Sequence, residues 1–202
     1  MPDKYRNFQE LQQDLQVEVE YRIREQLRLQ ATAILAIHGG GIEMGTSELA
    51  SAIAGNEFSL YLFEGLAGNN QFLHITSTNF DEPLCLQFVG KHCTALSVHG
   101  FAGLQTDPLV YLGGNDLPLV QRLLEALQTN GYTARVNTGK FAATDPANIC
   151  NRTSTGQGVQ LELSAALRSR FFQDYSSYRG RQTSTPQFAH FVQVIRHSLL
   201  NI

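Results

Sequence analysis

Two apolar runs in this sequence end in the same way, Ala36-Ile37-His38-Gly39 and Ser97-Val98-His99-Gly100. A group just past the carboxyl end of a buried strand lines the crevice where open α/β sheets bind ligands. Two imidazoles delivered there can converge on one metal ion. Either histidine alone would read as structural; the repeated strand-His-Gly pattern is what joins them. The glycine after each is expected to let the backbone turn and to leave room around the ion. A third donor follows at once, because His38-Gly39-Gly40-Gly41-Ile42-Glu43 sets a carboxylate five residues after the first histidine. That spacing is not one helix face, so Glu43 must reach back through the glycine loop. His38, Glu43 and His99 then leave a fourth zinc position for water. Zinc would bring that water's pKa toward neutrality and polarise a scissile carbonyl. The glycine loop does not read as a phosphate cradle. It lacks Gly-Lys-Ser/Thr and Gly-x-Gly-x-x-Gly, and Glu43 would repel the anion.

The run Gly158-Val159-Gln160-Leu161-Glu162-Leu163 carries the next candidate. Val159, Leu161 and Leu163 share one strand face, and Gln160 and Glu162 the other. On a central strand a carboxylate is costly unless paired or placed in a wet cleft. Glu162 is therefore a candidate base for an attacking water and acid for the leaving nitrogen. The competing reading is an edge strand with Glu162 in solvent. In the loop Asn151-Arg152-Thr153-Ser154-Thr155-Gly156, Arg152 is a candidate clamp for a carboxylate or an oxyanion. His92 and Cys93 would point to opposite faces and do not form a thiol–imidazole pair. His190 and His197 read as packing and boundary residues. His74 reads as structural, with a place beside the cleft left open.

The elements that must position these groups follow from the patterning. Strands are expected at 31–37, 58–63, 94–98, 109–112, 132–136 and 158–163. Helices are expected from a Thr46 cap to Ala54, from Leu117 to Gln128 after Asp116, at 165–174 and at 187–200. No element is assigned before residue 31 or between 64 and 93. Interleaved strands and helices predict an α/β fold, a three-layer sandwich with a mainly parallel or mixed central sheet flanked by helices.

Length and composition fit one domain over 1–202, with 43% hydrophobic and 16% charged residues. A net charge of −3 argues against a general nucleic-acid binder. Arg168, Arg170, Arg179 and Arg181 crowd one stretch, as a solvated surface or as an anion-attracting rim. Cys85, Cys93 and Cys150 show no Cys-x-x-Cys spacing, so no disulfide framework is expected. The polar opening segment lacks a secretion signal, and no run approaches the roughly 18 apolar residues that span a bilayer. A cytoplasmic or otherwise soluble protein without membrane contact is the expectation. The sequence leaves oligomeric state open, with a monomer as the simplest case.

In order, AIHGGGIEMGTSELA, LSVHGF and NICNRTSTGQGVQLELS resemble the phage-type poly-γ-glutamate hydrolases, as does the opening NFQELQQDLQVEVEYRI. The resemblance covers nearly the whole chain. It implies a fold related to zinc carboxypeptidases, with zinc held by His38, Glu43 and His99 and with Glu162 at the position of the catalytic glutamate. The His-x-x-Glu of carboxypeptidases is replaced by the longer spacing that this hydrolase family shares. The resemblance assigns no role to Arg152, whose part as a clamp is read from its loop alone. The implied substrate is an anionic γ-linked polyglutamate with a free α-carboxylate on each residue. Another amide, such as a cell-wall peptide or an N-acyl amino acid, and a non-catalytic anion-binding role are the alternatives.

Overall fold

The computed structural model describes residues 3–66, 68, 70–102 and 107–200. Seven strands form one mixed sheet: β1 (Tyr21–Gln26), β2 (Thr32–Gly40), β3 (Ser59–Gly65), β4 (Thr94–Phe101), β5 (Val110–Gly114), β6 (Ala134–Val136) and β7 (Val159–Ser164). Their order across the sheet is β1-β3-β2-β4-β7-β5-β6. β3, β2, β4 and β7 run parallel, while β1 joins β3 and β5 joins β7 in antiparallel fashion.

Strand alternation divides the apolar residues between two cores. Ile34, Ala36, Leu96, Val98, Val159, Leu161 and Leu163 face one way. There they meet α2 (Thr46–Ala54), α4 (Leu117–Thr129) and α6 (Pro186–Leu200), which bury Leu49, Leu123 and Phe191 among others. Ala33, Leu35, Ile37 and Ala95 face the other way, under α1 (Phe8–Asp14) and α3 (Pro83–Val89). The helices thus flank the sheet on both sides, as expected.

Chain direction opens the cleft. From β2 the chain passes through α2 to β3 on one side, then returns through α3 to β4 on the other side of β2. Such a reversal is where open sheets bind ligands. The β2–β4 pairing stops at Leu35–Ser97, so the carboxyl ends of these two strands separate just before His38 and His99.

Several elements differ from the sequence-based expectations. β2 and β4 run on through their histidines to Gly40 and Phe101, so Gly39 and Gly100 lie within strands rather than at turns. Gly45 is the N-cap of α2, and Thr46 instead donates its hydroxyl to the carbonyls of His38 and Glu43. The helix expected at 165–174 is only α5 (Ala165–Ser169). Beyond it the backbone bonds leave the helical pattern: Gln173 N–H reaches the Thr183 carbonyl, and Thr185 N–H the Phe171 carbonyl, across the 171–185 loop. β7 lies between β4 and β5, which rules out the edge-strand reading of Glu162. Among the described residues, no helix is long and apolar enough to cross a membrane.

Candidate metal centre and its cavity

His99 and Glu162 sit directly opposite each other in the β4–β7 ladder, and Gln160 faces Ser97 two residues earlier. Residues so paired point to the same side of the sheet. That side is the one covered by α1 and α3. Simple alternation would send His38 to the opposite side with Ala36. The β2–β3 register shifts between Ala36 and Gly39, and this bulge re-aims the His38 ring toward His99. The ring centroids are 4.9 Å apart.

Hydrogen bonding fixes how the rings are presented. His38 Nε2 lies 2.8 Å from the Ile75 carbonyl oxygen, which can only accept, so Nε2 carries a hydrogen and Nδ1 faces the cleft. His99 Nε2 pairs with Ser97 Oγ at 2.8 Å, again leaving Nδ1 inward. The two Nδ1 atoms are 3.1 Å apart. Glu43 meets His38 Nδ1 at 3.1 Å and His99 Nδ1 at 3.6 Å. Its Oε2 accepts the Gly100 N–H at 2.8 Å.

The loop that returns Glu43 to its histidine is closed by backbone bonds. Glu43 N–H reaches the His38 carbonyl, and Gly41 N–H the Gly65 carbonyl. Gly40 takes φ +65°, a conformation glycine adopts without steric cost. From outside, Arg168 donates to the carbonyls of Met44, Phe101 and Leu163, joining the Glu43 loop to the ends of β4 and β7. Arg181 pairs with Glu48 and donates to Gly40 O. Both guanidiniums are buried, whereas Arg170 and Arg179 are exposed. The arginine-rich stretch is therefore neither wholly a solvated surface nor a rim, since two of its members are internal struts. Gly100 is needed for close approach, because a side chain there would run into Arg168.

His74 belongs to this centre as well. Its ring stacks on His38 with centroids 4.1 Å apart, and its Nε2 lies 3.8 Å from Glu43. Asp3 orients it by pairing with Nδ1 at 2.6 Å, while Asp3 Oδ2 accepts both the N–H and the hydroxyl of Thr76. Burial lowers the His74 pKa, helped by nearby His38 and opposed by Asp3 and Glu43. No local sequence signal marks it, since its orienting partner lies near the start of the chain.

Glu162 is buried beside the cleft. Gln160 Nε2 donates to its Oε1 at 2.9 Å, and Asn148 in turn holds the Gln160 carbonyl oxygen at 3.0 Å. Burial, then the negative charge of Glu43, pushes the Glu162 pKa well above the ordinary carboxyl value; Arg168 and Lys140 offset this in part. Glu43 behaves oppositely. Burial alone would raise its pKa, but charge and hydrogen bonding from His38 and His99 prevail and hold it well below the usual range. Two carboxyl groups driven apart in this way suit one held ionised and one poised to exchange protons.

Arg152 does not come to the centre. It is exposed at the end of the short turn Ile149–Asn151. The neighbouring Ser154 is bonded to the His92 carbonyl, at the start of β4 and the opposite end of the strand from His99. Among the described residues, the cationic side chains that line the cavity are Lys4 and Lys140. The cavity itself is about 800 Å³ and reaches His38, Glu43, His74, His99 and Glu162. That volume falls within the usual range of small-molecule sites.

The donor chemistry fits a divalent cation. Three acceptor groups face one another, and lone pairs at these separations repel unless a proton or a metal lies between them. Tetrahedral zinc with bonds of about 2.0–2.1 Å to nitrogen sets its ligand atoms about 3.3 Å apart. The two Nδ1 atoms are 3.1 Å apart, and the Glu43 carboxylate presents Oε1 to His38 at 3.1 Å and Oε2 to His99 at 3.6 Å, separations close to that distance. His38, Glu43 and His74 also offer donor atoms within 4.8 Å of one another. With Nδ1 held by Asp3, His74 presents Nε2 to Glu43 at 3.8 Å, farther from the carboxylate than Nδ1 of His38 or of His99.

Residues 5–194 match the poly-gamma-glutamate hydrolase family. The UPF0714 protein YndL of Bacillus subtilis (strain 168) is 38% identical over 202 residues, covering 98% of this chain and 79% of YndL. A solved structure of a bacteriophage poly-gamma-glutamate hydrolase superposes with a TM-score of 0.95 at 37% identity, covering 99% of this chain and 98% of that one. A structure named YNDL-apo (Zinc-free) superposes at 0.94, also at 37% identity, with the same coverage. With a match along almost its full length and a relative this similar, the chain belongs to the poly-gamma-glutamate hydrolase family.

Proposed function

We propose that this protein is a zinc-dependent hydrolase of γ-glutamyl amide bonds in poly-γ-glutamate. The observation that carries the reading is the convergence of His38 Nδ1, His99 Nδ1 and the Glu43 carboxylate at mutual distances of 3.1–3.6 Å, in one cavity with Glu162. Membership of a hydrolase family and the zinc-free YNDL structure support it.

His38, Glu43 and His99 would hold the ion, which when bound supplies Lewis acidity to the scissile carbonyl and to a water molecule. The chain's own residues do the rest. The Ile75 carbonyl and Ser97 fix the imidazoles with Nδ1 inward, and Gly100 N–H fixes Glu43. Such supporting bonds orient ligands and raise their basicity. Glu162 takes a proton from the attacking water on the oxygen that Gln160 leaves free and returns it to the departing nitrogen. A pKa raised by burial and by Glu43 suits both halves of that exchange.

The direct test follows the chain length of poly-γ-glutamate incubated with zinc-loaded protein. The proposal expects progressive shortening that a chelator stops and added zinc restores. Unchanged length under zinc-replete conditions would reject the substrate.

A further inference from the structure

The cavity is short of positive charge for a polyanion. Among the described residues its lining carries the carboxylates of Asp3, Glu43, Asp145 and Glu162 against Lys4 and Lys140. A γ-linked glutamyl chain adds a free α-carboxylate at every residue, next to each amide bond. A divalent ion at the histidines would address the scissile carbonyl and leave that carboxylate without a partner. Lys4 is already committed, donating to the Tyr5 hydroxyl at 2.7 Å beside Asp14 at 4.0 Å.

Lys140 is differently placed. Its ammonium lies 5.3 Å from the centroid of the Phe141 ring, is exposed to solvent and is near enough for its charge to act on Glu162. The turn that carries it is firmly held. Asn137 Oδ1 accepts the N–H groups of Gly139 and Phe141, Asn137 N–H bonds Leu112 O, and Gly114 N–H bonds Ala142 O. Phe141 packs on Phe101, at 5.2 Å between centroids, two residues beyond His99 in the chain. The lysine is thus fixed relative to the strand that delivers His99.

We propose that Lys140 is the specificity residue of this site, binding the α-carboxylate of the glutamyl residue next to the bond being cut. The inference rests on the γ-glutamyl hydrolase reading. It gives Lys140 the anion-binding part that Arg152, at the other end of the sheet, does not reach. It also separates γ-linked glutamate, with an acid group flanking each bond, from ordinary peptides that present a neutral amide there.

Steady-state cleavage of poly-γ-glutamate by zinc-loaded parent, Lys140→Gln and Lys140→Arg proteins tests it. One charge-assisted hydrogen bond at a solvent-exposed site leads us to expect roughly a tenfold rise in KM for Lys140→Gln, with kcat within about twofold and Lys140→Arg close to the parent. A binding titration in the Glu162→Gln background, where cleavage is slowed by orders of magnitude, compares γ-glutamyl oligomers carrying free α-carboxylates or α-carboxamides. Lys140→Gln should weaken the acid form and leave the amide form unchanged. Equal losses on both oligomers, a fall in kcat at constant KM, or no effect would overturn the inference. If the parent does not shorten poly-γ-glutamate at all, the hydrolase reading fails and this inference with it. A cleaving parent with an unaffected Lys140→Gln removes this inference alone.

Discussion

Replacing Glu162 with glutamine isolates the proton-transfer step. The two side chains have the same shape. Gln160 Nε2 already donates to Glu162 Oε1 at 2.9 Å, so the carbonyl oxygen of the substituted amide can take over that bond. Its NH2 group then occupies the position of the working oxygen and cannot accept a proton. Loss of a positioned general base and acid costs roughly 10²–10⁴-fold in rate. At about 1.36 kcal/mol per decade this is on the order of 3–5 kcal/mol of barrier. Glu162 is not one of the converging donors, so bound zinc should be unchanged. Stability supplies a second readout. The folded-state pKa of Glu162 is raised, so its protonated form is the favoured one. The metal-free parent should lose stability as pH rises from the ordinary carboxyl value through the raised one. The glutamine variant does not titrate there, so its Tm advantage over the parent should grow across that interval. The assay is polymer shortening under excess zinc, with elemental analysis of the same samples. A variant that keeps its zinc and works within about threefold of the parent would refute the reasoning.

Two further substitutions probe the surroundings. His74→Ala should leave zinc bound while lowering affinity by about tenfold, the usual effect of removing an orienting neighbour; equilibrium dialysis showing metal loss as complete as in His99→Ala would make His74 the third ligand instead. Arg168→Met takes a donor from one buried and two partly buried carbonyls and should cost on the order of 2–4 kcal/mol in denaturant unfolding. A midpoint within about 0.5 kcal/mol of the parent would show that the strut is dispensable.

The sequence was most informative where core strands deliver functional groups. His38, His99 and Glu162 lie in apolar runs whose burial dictates strand position, and alternation alone puts Glu162 opposite the Val159–Leu161–Leu163 face. The bulge beside His38 left no such trace, although without it the ring would point into the other core. His74 reads as structural from the sequence, with a place beside the cleft left open, because Asp3 and His38 are brought to it only by the tertiary fold. Arg168 and Arg181 looked like surface charge because their acceptors are main-chain carbonyls of distant segments, which carry no side-chain signature. β1 carries little strand signal, because Tyr21–Gln26 is a polar, half-exposed edge with little alternation. For α3 the sequence does carry a signal, Pro83 at the first turn after Glu82, whose carboxylate caps Leu84 and Cys85.

The claim beneath all of this is that one divalent ion sits between two histidine rings and a glutamate. Anomalous diffraction across the zinc edge from crystals of the zinc-loaded protein tests it most directly. The account predicts a peak bonded to Nδ1 of both His38 and His99 and to the Glu43 carboxylate. A peak elsewhere, or none in zinc-saturated crystals, would contradict it.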